Sequence, residues 1–108
     1  MAAVTLINCF EVPAGQEDEF FRLWQKVNAY MRAKPGYLAH ALHRAWTPEA
    51  AFRFVNVARW VSAEHYQAAH DDGFRKLIND PAWKAFRARP ALYEVVHEGH
   101  GETGSAVA

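Results

Sequence analysis

The sequence contains only one cysteine, Cys9, among its 108 residues. A single thiol excludes an internal disulfide and any zinc or redox site built on paired cysteines. Net charge is also absent, because twelve basic and twelve acidic side chains cancel. The chain therefore lacks the positive surplus typical of nucleic-acid-binding domains, and we expect no nucleic-acid partner.

Long apolar runs are missing as well. No uninterrupted hydrophobic stretch approaches the roughly 20 residues that a membrane helix requires, so no membrane association is expected. The first residues, Met1, Ala2 and Ala3, carry no basic group ahead of the apolar stretch that follows, which is unlike a signal peptide. These features predict a cytoplasmic protein.

Several common catalytic motifs are absent. Neither serine of the chain, Ser62 or Ser105, sits in the strand-turn-helix motif of a nucleophilic serine. The glycines form no phosphate-binding GxGxxG loop, and the six histidines show no metal-chelating spacing with each other or with carboxylates. No metal site is predicted.

What the chain has is strong hydrophobic patterning, with 51% hydrophobic and 14% aromatic residues. Alternating apolar positions predict strands over residues 4–12, 37–45, 52–61 and 91–98. An apolar stripe at helical spacing predicts a helix over 16–34, and further helical pieces are predicted between Ser62 and Arg89. The order β-α-β-β-α-β predicts an α+β fold of the ferredoxin-like, split-βαβ type: a four-stranded antiparallel sheet with helices on one face. We expect residues 1–98 to form this domain and residues 99–108 to be a flexible tail.

The second face of the predicted sheet also carries apolar side chains. By the alternation of strand residues, these are Ile7, Cys9, Ala39, Ala41, Val55 and Val57. No helix remains in the chain to cover them, and a second copy of the same sheet is the simplest cover. We therefore predict a homodimer.

Two asparagines interrupt the apolar face that should meet the helices. Asn8 lies on the first strand and Asn56 on the third, and a buried amide without a partner costs about 1–3 kcal/mol. Trp60 shares a face with Asn56, and Tyr66 follows on the next helix. An apolar cavity with a few convergent polar groups is typical of a ligand site. The alternative is that both amides are bonded within a filled core.

These segments resemble the antibiotic biosynthesis monooxygenase superfamily of dimeric α+β barrels. The resemblance covers roughly residues 4–98 and is carried by residues 6–15 (LINCFEVPAG), 34–37 (KPGY) and 55–64 (VNVARWVSAE). It implies the ferredoxin-like fold and the homodimer. It leaves the activity open, since one fold hosts several chemistries.

One branch of that superfamily comprises cofactor-free monooxygenases that oxidise phenolic compounds with O2. Similarity to their site implies catalytic roles for Asn56, Trp60, Tyr66 and Arg87, the last following Asp80–Pro81. Asn56, Trp60 and Arg87 would stabilise an oxyanion on a small aromatic substrate, and Tyr66 would move a proton. Further substrate-binding residues expected on this basis are Asn8, Phe10, Phe54, His70, Phe74 and Leu77. No strong general base is evident unless His70 enters the cavity.

Two alternatives accompany this hypothesis. The first is a haem-binding or haem-degrading enzyme, since Asn8 matches an asparagine on the first strand of such relatives. Ile78 and Ala69, however, stand where those enzymes carry the axial histidine and its tryptophan partner, and a site without an iron ligand should not hold haem in that way. His70 lies beside Ala69 and could substitute only in a shifted helix. The second alternative is a non-catalytic dimer that binds a small ligand.

Overall fold

A four-stranded antiparallel sheet, with strand order β2-β3-β1-β4, forms the centre of the computed structural model. The structure describes residues 2–102. Its elements in chain order are β1 (Val4–Glu11), α1 (Glu17–Met31), β2 (Tyr37–Arg44), β3 (Phe54–Trp60), α2 (Ala63–Ala69), α3 (Asp72–Ile78), a short 3-10 helix (Pro81–Ala85) and β4 (Arg87–Tyr93). The predicted ferredoxin-like α+β fold is confirmed. Of the predicted tail, residues 103–108 lie outside the described part of the chain.

Helix α1 forms because its apolar residues recur at helical spacing and because its first turn suits the helix dipole. Phe20, Leu23, Trp24 and Met31 are buried along one side of it. Three acidic residues occupy its first turn, where negative charge is favourable. The helix ends before Gly36, whose φ of +88° is a conformation that glycine adopts without strain.

The boundary between the last helical segment and β4 differs from the sequence prediction. The 3-10 helix stops at Ala85 and β4 begins at Arg87, whereas helix was predicted to Arg89. Pro90, interpreted as the end of a helical region, lies inside β4 opposite Asn8. Proline is tolerated there because β4 is an edge strand of the sheet. Ladder pairing with β1 thus overrides the local helix preference of this segment.

The two faces of the sheet are buried to different extents. Residues of even number on β1 and β3 pack against the helices in the core, with Ala58 and Trp60 each 1% exposed. On the opposite face, which we call the open face, Ile7, Val55 and Val57 are only partly buried. Among the residues described, none of the helices has the length and hydropathy needed to cross a bilayer.

Candidate active site

A cavity of about 460 Å³ lies between the helical layer and the sheet. This volume is within the range of small-molecule sites, which is about 300–1,000 Å³. Its walls are made by the even face of the sheet, by α1, by α2 and α3, and by the residues around the 3-10 helix. The lining residues are Leu6, Asn8, Phe10, Trp24, Val27, Asn28, Met31, Tyr37, Asn56, Ala58, Trp60, Tyr66, His70, Phe74, Ile78, Trp83, Phe86, Ala88 and Pro90.

Asn8 and Asn56 form a direct cross-strand pair in this wall. They are opposite each other in the β1–β3 register, and Asn56 is 7% exposed. Within the described residues, neither side-chain Oδ1 has a hydrogen-bond partner. Each unmade bond of a buried amide costs about 1–3 kcal/mol. The amides are therefore not held by the core, and the ligand-site interpretation is favoured over the filled-core alternative.

Trp60 adds an unused donor beside the two amides. It is 1% exposed, and its indole Nε1 is buried without a partner in the part of the chain described. Its ring is fixed by edge contacts with Tyr37 and Tyr66, whose ring centroids are 4.9 and 5.8 Å away. The cavity wall thus presents two unpaired oxygens and one unpaired N–H, which a ligand carrying hydroxyl and carbonyl groups can complete.

Tyr66 and His70 approach the cavity from α2 and its C-terminal end. Burial raises the pKa of the Tyr66 phenol, so this group remains protonated at neutral pH. The imidazole of His70 lies between the rings of Tyr66 and Phe74, with centroid separations of 4.4 and 4.5 Å. His70 Nδ1 is 2.7 Å from the backbone oxygen of Tyr66. A carbonyl can only accept, so Nδ1 carries the proton of this hydrogen bond.

Asn28 and Tyr37 are cavity residues that the sequence reasoning missed. Asn28 Nδ2 donates to the Tyr37 hydroxyl at 2.9 Å, and burial raises the pKa of the Tyr37 phenol. The available signal was the position of Asn28, one turn beyond Trp24 on the buried side of α1. A polar residue within the apolar stripe of a helix indicates a candidate ligand site, just as Asn8 does within an apolar strand face.

Some of the apolar residues predicted to line the cavity do so and others do not. Phe10 and Phe74 line the cavity, whereas Phe54 and Leu77 do not. Phe54 is buried in the neighbouring core, stacked on Phe20 at a centroid distance of 4.7 Å. Leu77 lies on a different side of α3, and its neighbour Ile78 lines the cavity instead.

Arg87 is not in the cavity. It lies on β4 opposite Glu11, so its side chain belongs to the open face, away from Asn8 and Asn56. It contributes to a separate cleft of about 430 Å³ at the end of β1, together with Glu17 and Arg53. The predicted helical placement of Arg87 is wrong because β4 starts earlier in the chain. Among the described residues, no group of three or more His, Cys, Asp or Glu side chains is arranged to hold a metal ion.

The fold defines a small ferredoxin-like protein with a cavity between the sheet and the helices. The chain matches the antibiotic biosynthesis monooxygenase family over residues 3–89, and it belongs to that family. A search of curated proteins found no significant match.

Solved structures with the same fold include three of particular interest. A proposed monooxygenase from Shewanella loihica PV-4 is 32% identical, with a TM-score of 0.79 over 90% of this chain and 97% of that one. SnoaB, a cofactor-independent oxygenase from Streptomyces nogalater, is 24% identical, with a TM-score of 0.75 over 91% and 97% of the two chains. A variant of MhuD with two manganese protoporphyrin IX molecules bound per active site is 28% identical, with a TM-score of 0.70 over 91% and 99%.

Proposed function

We propose that this protein is a cofactor-independent monooxygenase that oxidises a small hydroxylated aromatic compound with O2. The observation that carries the proposal is the group of three unpartnered polar atoms on the cavity wall: Asn8 Oδ1, Asn56 Oδ1 and Trp60 Nε1. Membership of the monooxygenase family supports the reaction type, and so does the similarity to the proposed monooxygenase from Shewanella loihica.

The chemistry needs no reductant other than the substrate. Ground-state O2 is a triplet and reacts slowly with closed-shell molecules, but an electron-rich aryloxide can transfer one electron to it. The resulting radical and superoxide combine at a ring carbon, forming a C–O bond. Loss of water from the hydroperoxide, with cleavage of the O–O and C–H bonds, leaves a quinone. One oxygen atom enters the product, the other leaves as water, and all four electrons come from the substrate.

The cavity residues supply binding, orientation and exclusion of water. The amides of Asn8 and Asn56 hold the hydroxyl and carbonyl groups of the arene, and the Trp60 N–H donates to the oxygen on which negative charge develops. Tyr66, protonated at neutral pH, can donate to the departing oxygen. Phe10, Phe74 and the other apolar walls keep bulk water away from the radical pair. Arg87 has no part in this scheme.

The test is O2 consumption with electron-rich hydroxyarenes such as 1,5-dihydroxynaphthalene. Asn56→Ala and Trp60→Phe should each lower kcat/KM by about 10²-fold, the loss typical of removing one oxyanion donor. Asn79→Ala is the matched control, because Asn79 is an exposed asparagine at the end of α3. Equal turnover in all four proteins would refute these roles, and ligand binding without O2 uptake would favour a non-catalytic binding protein.

Haem binding is the second candidate, and one observation favours it: His70 lines the cavity without any shift of its helix. The other residues do not fit haem. Ile78, in the position expected for an iron ligand, has no donor atom, and no Lys or Arg side chain is among the described residues that line the cavity. The two carboxylates of a haem would have no cation to pair with there. The porphyrin bound to MhuD is a property of that protein.

We propose further that the protein works as a homodimer in which two open faces meet. Ile7, Val55 and Val57 on this face are only partly buried by their own chain, and none of the described helices packs over them. Additional large apolar residues, Leu38, Trp46 and Tyr93, are exposed. An apolar sheet face of this kind is normally covered by another layer, and sedimentation velocity will report whether a second copy provides it.

A further inference from the structure

The cavity wall carries no fixed charge. No Asp, Glu, Lys or Arg occurs among the described residues that line it. Only Tyr37, Tyr66 and His70 there are titratable within the ordinary pH range. An anion that enters such a site loses its hydration and gains no counter-charge, which is strongly unfavourable. A ligand therefore enters most readily in an uncharged form.

An uncharged phenol is a poor electron donor to O2, so the reaction needs a base inside the cavity. The two tyrosines are unsuitable, because burial raises the pKa of each phenol and keeps it protonated. Asp71, the residue after His70, is already engaged by Lys34 Nζ and by the Tyr30 hydroxyl, each at 2.6 Å. It is absent from the cavity wall.

His70 has the geometry of a base. Its Nδ1 donates to the Tyr66 carbonyl at 2.7 Å, which fixes the tautomer of the neutral ring and leaves the lone pair on Nε2. No group in the described part of the chain hydrogen-bonds to Nε2, and the ring lines the cavity. The ring is held by a tilted contact with Tyr66 and an edge-on contact with Phe74, so it has little freedom to turn away. A tautomer fixed by a backbone carbonyl is a common way to prepare a histidine for proton transfer.

We infer that the substrate enters as a neutral hydroxyarene and that His70 Nε2 removes its phenolic proton within the cavity. The O–H bond breaks, the N–H bond forms, and the electron pair stays on the substrate oxygen. The imidazolium is then the counter-charge of the aryloxide, so the cavity remains neutral overall. The imidazolium gives this proton to the peroxide anion formed when O2 adds to the ring, and the resulting hydroperoxide then loses water. This inference rests on the proposed function, and it restricts the substrate class to hydroxyarenes without a carboxylate or other permanent charge.

The proton transfer can be observed without turnover. The probe is 4-nitrophenol, whose phenolate absorbs at a longer wavelength than the phenol and which is too electron-poor to reduce O2. At about neutral pH, where an ordinary imidazole is largely unprotonated, binding to the protein should raise the phenolate share of the probe above that of the probe free in the same buffer. His70→Gln, which keeps a polar side chain of similar size, should bind the probe as the phenol, with at least about 10-fold less phenolate per bound molecule. His97→Gln, an exposed histidine beyond the end of β4 and off the cavity wall, is the matched control and should behave as wild type.

Two ligand-side controls make the test independent of variant folding. The wild-type protein should bind 4-nitroanisole, which has no proton to give, without any band shift, and should bind 4-nitrobenzoate at least about 10-fold more weakly than 4-nitrophenol. With an oxidisable hydroxyarene, His70→Gln should lower kcat by about 10²-fold, the usual contribution of a general base. A phenolate band that persists in His70→Gln, a wild-type complex that holds only the phenol, or no binding of the probe would each overturn the inference. A phenolate band in wild type without O2 uptake from any hydroxyarene would instead refute the proposed function and leave the proton transfer standing.

Discussion

Asn8 and Asn56 lie side by side on antiparallel strands, and neither side-chain oxygen has a hydrogen-bond partner among the described residues. Natural cores rarely leave two such neighbours unpaired. The same positions with aliphatic side chains would continue the apolar faces of β1 and β3. The pair therefore lowers the stability of the free protein, which is common where a polar group is kept for ligand binding.

Replacing Asn56 by Leu should stabilise the protein and abolish its activity. The substitution removes an unpaired buried amide whose cost is about 1–3 kcal/mol, and the cavity has room for the longer side chain. We expect the midpoint of thermal unfolding to rise by about 4–8 °C per kcal/mol gained. Asn28→Leu is the control, because it breaks the Asn28–Tyr37 bond and should give no such rise. A lower midpoint for Asn56→Leu would show that this amide is satisfied in the native protein.

Arg87→Ala should leave turnover within about twofold of wild type. Arg87 is exposed on the open face, opposite Glu11, and cannot reach the cavity on the other side of the sheet. Surface substitutions of this kind change the free energy of unfolding by less than about 0.5 kcal/mol. Steady-state kinetics of Arg87→Ala and Trp60→Phe, measured side by side, will show whether the two substitutions differ in their effect on turnover. A loss of kcat comparable to that of Trp60→Phe would mean that Arg87 reaches the substrate of its own or a partner chain.

The order of elements and the two sheet faces could be predicted because they depend on local alternation and spacing. Asn8, Asn56 and Trp60 share one face by parity alone, and the β1–β3 register then brings the two asparagines together. The start of β4 could not be predicted in the same way. Its alanine and arginine residues favour helix locally, and only pairing with β1 across the whole chain makes the segment a strand. The expected helical placement of Arg87 depended on this boundary and was wrong for that reason.

The cavity residues contributed by helices were harder to anticipate than those from strands. Neighbouring side chains on a helix are about 100° apart around its axis. An error of one residue in the helical register therefore predicts Leu77 at the cavity, whereas Ile78 lines it. Phe54 is on the predicted face of β3, but it is covered by Phe20 of α1. Whether a strand residue on this face lines the cavity or packs in the core depends on which helix residue lies over it. The orientation of the His70 ring depends on a hydrogen bond to the Tyr66 backbone, which leaves no trace in the residue pattern.

Asp71 should stabilise the protein in a pH-dependent way. The hydrogen bond from Lys34 Nζ, those from the Tyr30 hydroxyl and the Phe74 N–H, and the charge of Lys34 hold the pKa of this carboxyl below its ordinary value of 3.8. A lowered native pKa adds stability above pH 3.8, and this contribution is lost as the pH falls through the native pKa. Asp71→Asn keeps an oxygen that can cap α3 and removes the charge. Its urea midpoint should be below that of wild type at pH 7, and the difference should shrink toward pH 2. If the difference between the two urea midpoints were the same at every pH, the substitution would act through packing and not through the lost charge.

Val57→Asp should convert a dimer to a monomer without unfolding the chain. Val57 lies at the centre of the open face, paired with Ile7 on one side and Ala41 on the other. A carboxylate there would be buried without a partner if two open faces met, but it is solvated in a single chain. Sedimentation velocity should give twice the chain mass for wild type and the mass of one chain for Val57→Asp. Gln67→Asp, at an exposed position on α2, is the control and should also give twice the chain mass. A wild-type protein that sediments as one chain would refute the homodimer.

Titration of the protein with haemin should not produce a shifted, sharpened Soret band with the stoichiometry of a defined site. The cavity offers one imidazole, that of His70, but Ile78 replaces the expected ligand and no cation among the described lining residues can pair with the haem carboxylates. Ile78→His places a donor at the position expected for an iron ligand, and it should bind haemin at least about 10-fold more tightly than wild type. Ala82→His, on the 3-10 helix and off the cavity wall, controls for an added histidine. Tight, stoichiometric binding by wild type that is lost in His70→Ala would make His70 an iron ligand and would favour haem chemistry over direct oxidation of a hydroxyarene.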